Sequence, residues 1–116
     1  MIGSKKYKLD SKMKTTATWN GKTLAESDDC ILVEGNAYFP RSALKANFTA
    51  PSTYTSFCPW KGNANYMDIV VDRQKNANAI WTYEAPLPAA KPIAGYVAFW
   101  KGVTVTGGEH AKPMAR

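Results

Sequence analysis

A chain of 116 residues with 45% apolar and 21% charged side chains is long enough to bury one core without staples, and too apolar for global disorder. No run approaches the roughly 20 apolar residues that a membrane-spanning helix needs, so a soluble single domain is expected. The formal charge of +6 comes largely from the ends, where Lys5, Lys6, Lys8, Lys12 and Lys14 face only Asp10, and Lys112 and Arg116 face Glu109. A nucleic-acid binder concentrates its cations on a structured face, so these lysines read as a solvated end and nucleic acid is not an expected partner. Cys30 and Cys58, with no apolar leader before them, point to reduced thiols and a cytoplasmic protein. Together with one histidine, His110, they match none of the common zinc spacings, and neither a metal nor a cofactor is expected.

Residues 1–12 show no apolar periodicity and are expected to form a mobile extension. From Thr15 onward, short β-branched and aromatic runs alternate with turn pairs, the pattern of antiparallel strands. Thr15 to Trp19 and Thr23 to Glu26 flank Asn20-Gly21, whose residue types accept the positive φ angles of a tight hairpin. Cys30 to Val33 is continuously apolar, predicting a strand covered on both faces, and Glu34-Gly35-Asn36 turns it into Ala37-Tyr38-Phe39. Pro40 ends that strand and starts a single helical turn through Lys45.

Thr53 to Phe57 and Ala64 to Val71 are expected strands, separated by Pro59 and Gly62. Asp72 to Asn78 reads as a polar loop leading to the strand Ala79 to Tyr83, and Glu84 to Pro92 as a proline-rich crossing with at most one helical turn. Tyr96 to Trp100 and Val103 to Thr106 bracket Lys101-Gly102, predicting a third hairpin. Gly107-Gly108 then releases a flexible tail over 108–116. The expectation is a mainly β domain over 13–107, of about eight or nine short, mostly antiparallel strands with one or two helical turns.

The segment Cys58 to Tyr66 concentrates a thiol, two aromatics and a cation around a turn. Lys61 lies close enough in sequence to activate Cys58, which makes that thiol the weak candidate for catalysis. No histidine or paired carboxylate stands beside it in the pattern, so Cys58 reads as a packing residue and the chain leans away from an enzyme. No glycine-rich strand-to-helix loop offers a phosphate site. The aromatics remain. Trp81 and Tyr83 must share a face of their strand, whereas Tyr38 and Phe39 must oppose each other.

Five ordered blocks resemble the DUF427 family: Thr18-Trp19-Asn20-Gly21 through Ala25-Glu26-Ser27, Tyr38-Phe39-Pro40, Cys58-Pro59-Trp60-Lys61-Gly62 with Ala64 and Tyr66, Ala79 with Trp81 and Tyr83, and Ala94 through Phe99. The resemblance runs from about Met13 to Thr106 and implies a compact antiparallel domain of β-tent, or Mss4-like, topology. Zinc-binding members of that group carry paired Cys-x-x-Cys knuckles, which this chain lacks; others form aromatic cages for small ligands. The family is also called a nucleotidyltransferase, although the clustered acidic residues and glycine-rich loop of such enzymes are not in this sequence.

These observations lead to one expectation: an aromatic pocket formed by Tyr38, Trp60, Tyr66, Trp81 and Tyr83 binds a small organic ligand, with Lys61 and Arg41 available at its rim for a polar or anionic group. The alternatives are an enzyme that uses Cys58 or a carboxylate on a nucleotide or other small substrate, and an adaptor in a larger assembly that uses the basic ends.

Overall fold

The computed structural model describes residues 13–115. Its strands are β1 (Thr15–Trp19), β2 (Lys22–Ser27), β3 (Ile31–Val33), β4 (Asn36–Tyr38), β5 (Thr49–Cys58), β6 (Gly62–Val71), β7 (Gln74–Thr82), β8 (Val97–Phe99), β9 (Thr104–Thr106) and β10 (Lys112–Pro113). They form three sheets, in the orders β2-β1-β9, β10-β3-β4 and β5-β6-β7-β8. All pairs are antiparallel except β10 with β3. The helical elements are short 3-10 turns at Arg41–Ala43, Ala46–Phe48, Pro88–Ile93 and Gly108–His110. The mainly β class is as expected, with ten strands among the described residues rather than eight or nine.

Turn chemistry explains the hairpins. Asn20 and Gly21 take φ of 51° and 77° between β1 and β2, and Glu34 and Gly35 take 53° and 81° between β3 and β4. Two positive φ angles twist the chain in the sense that the flanking strands require. A further hairpin joins β6 to β7 at Asp72 and Arg73, with φ of 50° and 67°. The polar loop expected over 72–78 is therefore a tight turn followed by the start of β7; the absence of glycine concealed it. Lys101 and Gly102 also take positive φ, 56° and 84°, but their flanking strands diverge. β8 pairs with β7 and β9 pairs with β1, so the third expected hairpin does not form.

The apolar residues divide into two clusters on opposite sides of β4 and β8. Phe39, Ile69, Ile80 and Phe99 belong to the first, and Tyr38, Ala64, Tyr83 and Ile93 to the second. Tyr38 and Phe39 are both fully buried, one in each cluster, as strand alternation requires. Phe39 and Val97 exchange backbone hydrogen bonds of 2.8 and 2.9 Å, which joins the β4 sheet to the β8 sheet. Ile31 packs against the second cluster and Leu32 against the first, so β3 is covered on both faces.

The chain beyond Gly107, expected as a loose tail, docks instead. Lys112 N–H donates to Cys30 O at 2.9 Å, Met114 N–H donates to Leu32 O at 3.1 Å, and Ala111 is buried. The expected extension over 1–12 lies outside the described residues. Gly107 makes the docking possible: it takes φ of 74°, and a Cβ there would lie 2.2 Å from the Lys14 carbonyl oxygen. Gly95 has a similar φ of 76° but open space around it. Gly95→Ala should therefore cost about 1 kcal/mol of backbone strain and Gly107→Ala more than about 2 kcal/mol, as measured by urea unfolding.

Candidate functional site

β5, β6 and β7 of the four-stranded sheet, and Trp100 just after β8, contribute rings to a connected row. Tyr54 on β5 meets Tyr66 on β6 with centroids 4.8 Å apart, Tyr66 meets Trp100 at 6.5 Å, and Trp100 meets Trp81 on β7 at 6.2 Å. Beneath them Trp81 contacts Tyr38 edge to face at 6.1 Å, and its indole N–H donates to the Tyr38 hydroxyl at 3.1 Å. The Trp81 and Trp100 planes are nearly perpendicular, at 87°. Edge-to-face contacts set the positive rim of one ring against the negative face of the next, which fixes ring orientation as well as separation. Lys61, Tyr66, Trp81, Tyr83 and Trp100 line a cleft of about 240 Å³.

Lys61 reaches this cleft from the turn between β5 and β6. Leu87, in the proline-rich crossing, donates its N–H to the Lys61 carbonyl at 2.9 Å. Gly62 follows with φ of 105°, where a Cβ would press on the Leu87 nitrogen at 3.3 Å. Glycine is therefore required for the crossing to clamp the turn. Lys61 is only 7% exposed, although it was expected at a rim. Its ammonium donates to Glu34 Oε1 and lies 5.3 Å from the Trp60 ring centroid and 5.5 Å from that of Tyr83. The Trp60 indole donates to the other oxygen of Glu34 at 3.2 Å.

Burial disfavours the Lys61 charge, but the hydrogen bond to Glu34 and the negative charge of that carboxylate outweigh it, and its pKa is raised. The side chain is cationic at neutral pH. Burial pushes the Tyr83 hydroxyl up to about 12, even though Lys61 opposes the shift, so Tyr83 is a neutral phenol.

Trp100 is held by a second network. The β6–β7 ladder slips between Met67 and Ile69, and the buried Asp68 at the slip accepts the Asn78 N–H at 2.8 Å. Asn78 takes a φ of 59°, accepts the Ser52 hydroxyl at its side chain, and presents its carbonyl to the Trp100 indole at 2.6 Å. Asn76 donates to Lys101 O at 2.8 Å, and Lys101 Nζ donates to Ala77 O at 2.9 Å. One wall of the cleft is thus tied to a buried carboxylate.

Of the residues expected in the pocket, Lys61, Tyr66, Trp81 and Tyr83 come together in the cleft. Tyr38 is fully buried below Trp81, and Trp60 is partly buried against the second cluster, where it meets Lys61 and Glu34. Arg41 lies elsewhere. It lines a second cleft of about 330 Å³ with Met67, Thr82 and Glu84, which adjoins the first at Tyr66, and its guanidinium is 3.8 Å from the Glu84 carboxylate. Sequence reasoning missed Trp100, Glu34 and Asp68. The only available signal for Trp100 is alternation: it stands two residues beyond Ala98, the register partner of Trp81, and so shares that face.

Both cysteines are free. Cys58 closes the β5–β6 ladder opposite Gly62 and packs against the second cluster. Burial, partly opposed by a hydrogen bond with Thr15, pushes the Cys30 thiol up to about 11, so it is a poor nucleophile. Among the described residues no three His, Cys, Asp or Glu side chains gather as a metal group, and no helix is long and apolar enough to cross a membrane.

Residues 8–108 match the family described as a domain of unknown function, DUF427. The chain belongs to the DUF427 family. Among curated proteins none matches it. The match spans every element that builds the cleft in this DUF427 domain, from Glu34 through Trp100.

Two outcomes test this construction. An unfolded tyrosine releases its proton near 10.0 and the folded Tyr83 near 12, so ionisation favours the unfolded chain as pH rises between these values. Wild-type stability should fall across that window, and Tyr83→Phe should remove part of the fall, as read from urea midpoints at each pH. Asp68→Ala leaves the Asn78 N–H without its acceptor and should cost about 1 to 3 kcal/mol, with a red shift in tryptophan fluorescence as Trp100 loosens.

Proposed function

We propose that this DUF427 domain is a cytoplasmic binding module that holds a small organic molecule in the cleft formed by Tyr66, Trp81, Tyr83 and Trp100. The observation that carries this reading is the preorganised ring cluster: four aromatic side chains line a small cleft together with the buried Lys61. Trp81 is oriented by Tyr38, and Trp100 by Asn78 and Asp68, so little side-chain freedom remains to be lost when a ligand enters. Trp100 is nevertheless 44% exposed, which leaves apolar ring surface available for a ligand to cover. The two free thiols suit a reducing compartment.

A thermal-shift panel of nucleotides, sugars, amines and other metabolites tests the proposal. A ligand at one hundred times its dissociation constant adds about 2.7 kcal/mol of stability. Trp100→Ala should keep the wild-type fold, because this ring is half exposed, and should lose the stabilisation by any hit. A hit that stabilises both Trp100→Ala and Trp81→Ala as strongly as the wild type would place binding outside the cleft.

A further inference from the structure

Several rings around a small volume ordinarily attract an ammonium ligand, because ring faces carry negative potential. In this cleft part of that attraction is already used, at two of the four lining rings: Lys101 Nζ lies 5.2 Å from the centroid of Trp100, and Lys61 stands beside Tyr83. The Lys61 ammonium lies 5.5 Å from the centroid of Tyr83, a lining ring, and only 9% of the Lys61 side chain is exposed. A second cation would enter a partly desolvated space beside a like charge, where repulsion is far less screened than in water. An anion fares little better, since Glu34 already matches the Lys61 charge and would itself repel a carboxylate. An ammonium has three N–H donors, and Glu34 Oε1 takes one of them. Ring faces supply no strong acceptor for the others.

The perpendicular walls restrict shape. With Trp81 and Trp100 at 87°, a flat ring can lie against one indole while its edge meets the face of the other. We infer that Lys61 is a resident cation that excludes ammonium ligands from this cleft and selects an uncharged planar ring bearing a carbonyl-type acceptor, which takes a hydrogen bond from Nζ. This selectivity rests on the reading that the cleft binds a small organic molecule.

Three probes that share one ring and differ in charge test it: benzamide, benzoate and benzyltrimethylammonium. Each is titrated into the full chain and followed by heteronuclear NMR at the indole N–H signals of Trp81 and Trp100. In the wild type, benzamide should bind about tenfold more tightly than either ion. Lys61→Met preserves length and apolar volume while the Glu34 carboxylate remains, so benzyltrimethylammonium should bind this variant about tenfold more tightly than it binds the wild type. Glu34→Gln leaves the Lys61 charge unmatched and should shift the preference toward benzoate, which keeps the test decisive if Lys61→Met does not fold. Equal or better binding of either ion by the wild type overturns the selectivity and leaves the cleft as a ligand site. If no probe moves either indole in any of these proteins, the ligand-binding reading falls, and the selectivity with it.

Discussion

Phe39 and Val97 exchange both of their backbone hydrogen bonds, and this pair is the constraint on which the rest of the structure depends. It lies fully buried between two short strands, β4 and β8, that belong to different sheets. An antiparallel pair of this kind sets the relative height and the facing of both strands. Phe39 thereby enters the first cluster while its neighbour Tyr38 enters the second. The pair sets the register of the β3–β4 hairpin against the four-stranded sheet, and the contacts of Tyr38 with Trp81 and of Glu34 with Lys61 follow from it.

The cleft inherits its geometry from that seam. Tyr38 rises from it to accept the Trp81 indole, and the same hairpin carries Glu34 to Lys61. From the other side, the proline-rich crossing grips the Lys61 carbonyl through Leu87. A buried ammonium is expensive unless it is paired and hydrogen-bonded, so Lys61 is sustained by a carboxylate and two ring faces together. Burial keeps Tyr83 neutral against the pull of Lys61, and Cys58 packs against the same cluster.

Where the reading of the sequence succeeded, the signal was local. Asn20-Gly21 and Glu34-Gly35 turn the chain because of what those residues tolerate at positive φ, and Trp81 and Tyr83 share a face because a strand alternates. Where it failed, the deciding contact was distant. Lys101-Gly102 has hairpin geometry, yet the chain after it is drawn to β1 rather than back to β8, since β7 already pairs with one edge of β8 and Phe39 meets Val97 at the other. Asp72-Arg73 makes a hairpin without glycine because two long strands on either side impose the turn. The tail docks because β3 had an open edge, a property that no local pattern in 108–116 expresses.

The sequence by itself determined the β class, the family, the main turns and the ring-rich composition of the candidate site, because all of these follow from residue type and short-range order. The tertiary structure alone decided which rings meet, that Arg41 belongs to another cleft, that Trp100 completes the wall, and that Glu34 neutralises Lys61. Glu34 and Lys61 stand 27 residues apart, and Trp81 and Tyr38 stand 43 apart. Contacts at such separations exist only after the chain has closed its loops and sealed both clusters, so their energetics belong to the folded whole and leave no mark on either residue's neighbours.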